Sequence, residues 1–365
     1  MDQKIRIGIL SMQRVANYGS FLQAYALKSI FENQGCLCSF ITPVRDHQIP
    51  GLKKNTRFFV ERIFRRLIGW DICKRVYYEF IFRKKFNIFH RQLLEDVCDQ
   101  RDYDLVVIGS DEVFNCTQRA PWCFSSQLFG KLPNAHRIIS YAASFGHTTF
   151  QDLVRYDLAQ LVGASLSYLA EISVRDGNSY ALIKKITGRT PLLHVDPVLV
   201  YDFGDLIPEN VPEQDYILIY SYPGRISAPR EIEAIQNFAR QKRKKLVSVG
   251  FYFPWCDRTV VPHPFEVLAY FKKATYVITD TFHGTVMSIK FNKQFCTIIR
   301  DTNTQKLSFL LEQFGLRERE IKAPFTAIAR LMDTEIDYIS VNSLLQQEKA
   351  RTIDYLRIYP SGNKH

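Results

Sequence analysis

Four short polar segments each follow an apolar run and carry side chains that can bind anions or move protons; they are residues 17–20, 109–115, 173–176 and 279–285. The last one, TDTFHGT, is the most informative. His283 falls in the first turn of a predicted helix, where backbone N–H groups attract phosphate. A histidine there could donate a proton to an anionic substrate. The alternative is that His283 bonds to Asp280 and serves only the local structure.

The other three segments offer complementary chemistry. Asp111, in GSDEVFN, suits a base or a hydroxyl-binding group, although an Asp at this place also caps helices well. Arg175 ends a buried strand, so it either pairs with Asp176 or another acid or clamps an anionic ligand. In NYGS, Gly19 lets the backbone approach a ligand and Ser20 could hold an anion, while a plain turn with a helix cap explains the segment equally well.

Several kinds of site are not supported. There is no GxGxxG or Walker loop, which argues against a nicotinamide or P-loop nucleotide site. The eight cysteines form no CxxC pair and no Cys/His cluster at zinc spacing. We therefore predict no metal and no cofactor.

The elements that must position these segments alternate between strand and helix. Strands are predicted at 4–10, 38–41, 103–108, 137–142, 171–174, 216–220, 245–249, 276–279 and 295–299, and helices at 20–34, 151–162, 177–186, 228–241, 264–273, 282–291 and 337–357. Such alternation indicates parallel sheets covered on both faces. The predicted fold class is α/β, with two Rossmann-like domains and a cleft between them, and ligands bound beyond the carboxyl ends of the strands.

The polar stretch 201–214 is the predicted linker. The predicted domains are residues 1–205, with a helical basic insertion at about 52–98, residues 206–335, and a closing C-terminal helix at 336–365. The net charge is +11, and residues 53–91 hold twelve Lys or Arg against three acids, interleaved with aromatic residues. Such an insertion packs on the protein itself, lies on an anionic membrane surface or binds nucleic acid.

No apolar run reaches the length of a membrane span. The N-terminal sequence MDQKIRIGIL has neither the apolar region nor the cleavage site of a signal peptide. A cytoplasmic location is predicted.

Taken in order, six strings resemble the polysaccharide pyruvyl transferase family: NYGSFLQAYAL (17–27), DLVVIGSDEVFN (104–115), ISYAASFG (139–146), ISVRD (172–176), HVDPVL (194–199) and YVITDTFHGTVMSIKFNK (276–293). The resemblance implies a fold like that of the two-domain (GT-B) glycosyltransferases. It also implies transfer of a pyruvyl group from phosphoenolpyruvate to a sugar of an oligosaccharide, as a pyruvate ketal, in capsule or exopolysaccharide biosynthesis. Such acceptors are usually lipid-linked. Together with the basic insertion, this predicts peripheral contact with the inner membrane surface; no nucleic acid partner is predicted.

Together the resemblance and the residue chemistry give the candidate site. His283 is the expected acid and Asp111 the expected base or hydroxyl anchor. The expected substrate-binding residues are Arg175, Asn17, Tyr18, Gly19, Ser110, Asn115, Ser144, Asp280, Thr281, Gly284 and Thr285.

One departure from the family pattern bears on the donor. Where family members have an Arg-Leu-His element, this sequence has Thr281, Phe282 and His283. Either Arg175 or another basic residue replaces the missing arginine, or this protein uses another donor. Two other functions stay open: a glycosyltransferase of the same fold that uses a nucleotide sugar, and a carbohydrate-binding protein without catalysis.

Overall fold

The computed structural model describes residues 4–47, 49, 70–94, 96–97, 102–118, 124–323, 325 and 327–358. Contacts divide the chain into two compact units. The first comprises Met1–Leu52, His90–Asp202 and Asn342–His365, and the second Lys53–Phe89 and Phe203–Val341.

The described strands are β1 (Arg6–Leu10), β2 (Leu37–Ile41), β3 (Asp96–Val97), β4 (Leu105–Asp111), β5 (Ile138–Ala143), β6 (Ser173–Val174), β7 (Leu192–Leu193), β8 (Tyr216–Tyr220), β9 (Lys245–Val249), β10 (Arg258–Val260), β11 (Tyr276–Thr279), β12 (Gln294–Ile298) and β13 (Glu320–Ile321). The described α-helices are α1 (Tyr18–Glu32), α2 (Trp70–Leu93), α3 (Phe150–Arg155), α4 (Ala159–Leu166), α5 (Gly177–Thr187), α6 (Pro197–Val200), α7 (Pro229–Lys242), α8 (Pro264–Lys273), α9 (Phe282–Lys290), α10 (Thr304–Gln313), α11 (Ile328–Asp333) and α12 (Tyr338–Tyr355).

Each unit is built on a parallel sheet of the Rossmann kind. Within the described residues the strand order is β3-β2-β1-β4-β5-β6-β7 in the first unit and β10-β9-β8-β11-β12-β13 in the second. In each sheet the order reverses beside the first strand, at β1/β4 and at β8/β11, and ligands of such sheets bind at the carboxyl ends near this reversal. All residues of β4 and β8 are buried, because helices cover both faces, and this explains their unbroken apolar runs.

The predicted elements agree with the structure except in a few places. The single helix predicted at 151–162 is wrong: α3 and α4 are separate helices, and Asp157 between them takes a left-handed φ of 55°. The short strands β3, β7, β10 and β13 and the helices α6, α10 and α11 were not predicted. The predicted closing helix corresponds to α12.

The helix α2 is most of the described part of the basic insertion, since residues 52–69, 95 and 98 lie outside the described residues. The sequence position of this helix led to its assignment to the N-terminal domain. Up to Phe89 it belongs to the second unit: Phe82 lies 5.1 Å from Phe251 between ring centroids, and Asp71 accepts a hydrogen bond from the Tyr252 hydroxyl at 2.8 Å. Aromatic packing therefore groups this segment with residues far away in the sequence.

The end of α12 belongs to the first unit. The Tyr355 hydroxyl donates to the carbonyl oxygen of Ser140 at 2.8 Å, and its ring centroid lies 4.5 Å from that of His194. Over the described part of the chain, no helix combines the length and apolar character that crossing a bilayer requires.

Candidate functional site

In the first unit, Asp111 is held at the carboxyl end of the central strand β4. Its Oδ1 accepts a hydrogen bond from Arg175 Nη2 at 3.0 Å, and its Oδ2 accepts one from the Ser20 hydroxyl at 2.7 Å. The carboxylate is largely buried. Strand ends far apart in sequence thus meet at one side chain, as expected for residues beyond the strands of a parallel sheet.

Arg175 bonds to two carboxylates and not to its neighbour Asp176. Its Nη1 donates to Asp196 Oδ2 at 3.1 Å, and only 1% of its side chain is exposed. Burial alone would lower the pKa of Arg175, but Asp111 and Asp196 raise it above its ordinary value. Asp176 instead caps α5, where it accepts from the Ser179 backbone N–H. Arg175 therefore fixes the orientation of Asp111, and its direct role in binding a substrate stays a prediction.

The backbone at Asp111 is unusual. Its φ is 96°, a value that a side-chain-bearing residue rarely adopts. The Asp111 carbonyl oxygen accepts from the Ser144 N–H at 2.9 Å, and this bond and the Arg175 pair hold the conformation. Such backbone costs about 1–3 kcal/mol and is found most often at functional sites. The geometry thus supports a functional role for Asp111.

The remaining predicted residues of the first unit mainly build the frame around Asp111. Asn17 caps α1 by accepting from the Gly19 N–H at 2.8 Å, so Asn17, and not Ser20, is the helix cap. Ser110 donates to Gln23 at 2.5 Å, and Ser144 donates to Asp176 at 2.6 Å. Tyr18 and Asn115, the other predicted substrate-binding residues of the first unit apart from Gly19, are also buried.

In the second unit, His283 lies in the first turn of α9, after β11 next to the strand-order reversal. It is the second residue of the helix, is buried, and its ring meets Phe282 edge-on at 5.4 Å between centroids. Thr281 caps the helix by accepting from the Gly284 N–H at 2.9 Å. The predicted position of the histidine at a helix start is confirmed.

The glycine after His283 has a packing role. A Cβ on Gly284 would lie 2.1 Å from Thr279 Oγ1 and 2.7 Å from Thr281 Oγ1, which no side chain tolerates. Thr285 donates from its hydroxyl to the Thr281 carbonyl oxygen at 3.1 Å. These predicted residues pack α9 tightly onto the end of β11, and this packing positions His283.

Asp280 joins this helix start to an arginine that the sequence analysis did not consider. Its carboxylate is fully buried, with Oδ1 accepting from the Ser221 hydroxyl at 2.7 Å and Oδ2 from Arg300 Nε at 2.8 Å. Arg300 Nη2 also donates to Glu231 at 2.7 Å, and 25% of its side chain is exposed. No described residue accepts a hydrogen bond from Arg300 Nη1. Two buried carboxylates thus hold a guanidinium whose remaining edge is available to a ligand.

Burial and the neighbouring charges shift the pKa values of Arg300 and Glu231 in this cluster. Burial opposes the charge on Arg300, but Asp280 and Glu231 raise the pKa of the guanidinium above its ordinary value. Burial raises the pKa of Glu231, and Arg300 offsets only part of that effect. Arg225 adds a second cation: it lies over the Tyr222 ring and reaches the Asp280 carbonyl oxygen at 3.4 Å.

Arg300 and Arg225 could have been found from the sequence, because each comes shortly after a predicted strand. Only four such segments were predicted to carry the site, and the ends of β8 and β12 were not among them. No sequence pattern indicated that Glu231 pairs with Arg300, because Glu231 lies on a helix 69 residues earlier in the chain. Asp196 stood in the quoted HVDPVL string without an assigned role.

Two Rossmann-like sheets with polar clusters at their carboxyl ends define an α/β protein of the GT-B class, and the predicted fold class is confirmed. The chain is similar to Arabidopsis thaliana UGT89C1 complexed with UDP, with a TM-score of 0.51, 10% identity, and coverage of 97% of this chain and 98% of that chain. For the same protein complexed with UDP-L-rhamnose the TM-score is 0.50, with the same identity and coverage. At this identity the likeness concerns the fold alone.

The sequence gives the narrower assignment. The family described as polysaccharide pyruvyl transferase matches residues 17–302, and the chain belongs to this family. It is therefore a member of a transferase family, with a polysaccharide acceptor implied at family level. No curated protein is detectably similar to it in sequence.

Proposed function

We propose that this protein transfers a pyruvyl group from phosphoenolpyruvate to two hydroxyls of one sugar in an oligosaccharide, forming a cyclic pyruvate ketal in capsule or exopolysaccharide biosynthesis. The observation that carries the proposal is the second unit's polar cluster. In this cluster His283 lies on the helix whose cap, Thr281, directly follows Asp280, the residue that holds Arg300. A proton donor and an anion-binding group are what this donor requires.

The atoms and protons of this reaction balance if one side chain donates a proton and later recovers it. A proton is added to the methylene carbon of phosphoenolpyruvate, which becomes the methyl group, and the central carbon becomes electrophilic. One sugar hydroxyl bonds to that carbon, the C–O bond to phosphate breaks, and the second hydroxyl closes the ring. Of the two hydroxyl protons, one restores the acid and the other leaves with phosphate. We assign the acid role to His283.

Arg300 is our candidate for the arginine that the family element has and this chain lacks. The guanidinium edge bearing Nη1 suits a carboxylate or phosphate oxygen. Arg225 and Arg300 together balance the charges of Asp280 and Glu231, so the cluster has no large net charge. Attraction for an anion comes from geometry, since both carboxylates are buried behind the guanidinium and the starts of α9 and α10 add partial positive charge.

In the first unit we propose Asp111 as the base or hydroxyl anchor for the sugar. Its carboxylate is oriented by Arg175 and Ser20 through the bonds described above. Arg175 acts through Asp111 and is a positioning residue in this proposal. A carboxylate of fixed orientation suits removal of a proton from a hydroxyl.

We also propose that the acceptor is lipid-linked and that the reaction takes place in the cytoplasm, where phosphoenolpyruvate is made. Oligosaccharide units of capsules and exopolysaccharides are usually assembled on a lipid carrier at the inner face of the membrane. The family's polysaccharide acceptor supports this assignment.

The test is to follow two labels of one donor. Purified protein is incubated with an oligosaccharide acceptor and phosphoenolpyruvate labelled separately in the pyruvyl carbons and in phosphorus. We expect the carbon label in the acceptor, the phosphorus label in free phosphate, and no transfer with boiled protein. A parallel incubation uses UDP-sugars labelled in the sugar. Transfer of that label would establish the glycosyltransferase alternative, and acceptor binding with no transfer from either donor would establish a carbohydrate-binding protein.

A further inference from the structure

One face of the helix α2, the inner face, packs on other residues of the second unit. Tyr78 stacks on Tyr252 at 5.6 Å between ring centroids, and Phe89 stacks on His263 at 4.7 Å. Lys85 Nζ donates to the Val261 carbonyl oxygen at 2.7 Å. These aromatic and polar contacts account for one side of the helix.

The opposite side of α2 is also apolar, which packing on the protein does not require. Its exposed large residues are Val76, Tyr77, Phe80 and Ile88, with Tyr77 60% and Phe80 65% exposed. Spacings of three, four and eight residues place them on one side of a helix. A helix that packs by one face normally presents a polar face to water.

Basic residues lie among these apolar ones. Lys84 and Arg91 follow Phe80 at spacings of four and eleven residues, which places them on the same side, and both are exposed. Arg83 is beside them and pairs with Glu79 at 3.1 Å. We call Val76, Tyr77, Phe80, Lys84, Ile88 and Arg91 the outer face of α2; it contains no acidic residue.

We propose that the outer face of α2 binds the surface of an anionic membrane. Exposed aromatic and aliphatic side chains interleaved with Lys and Arg match a headgroup region, where apolar groups enter the acyl boundary and cations meet phosphate. A purely apolar patch would favour a protein partner. A cluster of cations without exposed aliphatic side chains would favour a nucleic acid. The charge pattern therefore favours lipid. This proposal does not depend on the donor assigned above.

The experiment is vesicle flotation with the full chain. Vesicles of phosphatidylcholine alone are compared with vesicles that also contain phosphatidylglycerol, at low and high salt. We expect binding to the anionic vesicles only, weakening as salt shortens the Debye length from about 10 Å at 0.1 M.

Two matched pairs of variants locate the surface. Phe80→Glu should weaken binding at least about tenfold, whereas Val154→Glu, an exposed apolar residue on α3, should leave it within about twofold. Lys84→Glu with Arg91→Glu should weaken binding about fivefold or more for each residue. Arg240→Glu with Lys245→Glu changes the net charge equally at exposed positions elsewhere and should have a much smaller effect.

Several results would overturn the proposal. One is absence of flotation with anionic vesicles at low salt, and another is equal losses within either matched pair. A third is self-association in the absence of lipid that Phe80→Glu abolishes, which would assign the outer face to a second copy of the chain. Unchanged thermal midpoints show that each variant is folded, because all substituted residues are exposed.

Discussion

Arg300 Nε donates to the Oδ2 of the fully buried Asp280 at 2.8 Å. This bond links the residue after β11 to the second residue after the end of β12, and these are two neighbouring strands of the second sheet. Asp280 immediately precedes the cap of the helix that carries His283. An arginine and a histidine that the sequence separates thus share one rigid support.

The first prediction concerns His283. His283→Ala should lower kcat by about 10²–10⁴-fold, the usual contribution of a general acid, in the labelled-donor assay. The thermal midpoint should stay close to that of the unsubstituted protein. His136→Ala, at an exposed histidine of the first unit, is the control and should retain activity. Retention of activity within a fewfold by His283→Ala would place the acid elsewhere.

Arg300→Lys tests donor binding. A lysine presents a point charge and cannot hold Asp280, Glu231 and a ligand at once, so KM for phosphoenolpyruvate should rise about tenfold or more with a smaller change in kcat. Steady-state kinetics measures both. Arg243→Lys, at an exposed arginine of the same unit, should change neither. A fall in kcat alone would mean that Arg300 serves the chemical step and not the binding of the donor.

Arg175→Ala should destabilise the protein. It leaves Asp111 and Asp196 as buried carboxylates without their cation, which typically costs about 3–5 kcal/mol. Denaturant unfolding followed by fluorescence measures the loss, and Asp196→Asn in the same chain should restore part of it. Arg175→Lys distinguishes the roles: unchanged stability together with a raised donor KM would favour direct donor binding.

Gly284→Ala should also destabilise, because its Cβ would meet two threonine side chains at the end of β11. Overpacking of this kind costs about 1–3 kcal/mol, so the thermal midpoint should fall. Gly163→Ala is the matched control, since its Cβ would meet mainly the Ile186 side chain at 3.2 Å within a helix. Equal midpoints for the two variants would contradict the close packing of α9 on β11.

His194 predicts a pH dependence of stability. Burial, and to a smaller extent Arg351, lowers the pKa of His194 to about 4. In the unfolded state His194 binds a proton from about pH 6.5 downwards, whereas the folded state resists protonation until about pH 4. The contribution of neutral His194 to the free energy of unfolding is therefore complete above pH 6.5. It is lost as the pH falls towards 4, by on the order of 3 kcal/mol. Unfolding free energies measured across this range should fall less steeply for His194→Gln, and parallel curves would refute the assignment.

Local sequence patterns were sufficient to predict most of the secondary-structure elements and the family. The strands β8, β9 and β11 and the helix α8 have their predicted bounds. Short apolar runs bounded by polar residues are local signals, and the covered faces of a parallel sheet require them. The GSDEVFN and TDTFHGT strings likewise located Asp111 and His283 at strand ends, since a position after a strand is a property of the chain itself.

Local sequence patterns did not predict which charged side chains pair with each other, because this depends on the order of the strands in each sheet. Arg175 pairs with a carboxylate 64 residues away and not with its neighbour, and Arg300 with one 69 residues away. Strand order brings these side chains together, and no local pattern encodes strand order. The same holds for α2, whose inner aromatic face packs on residues of the second unit. Periodicity shows that a helix has an apolar face, but the surface that covers that face is set by contacts distant in sequence.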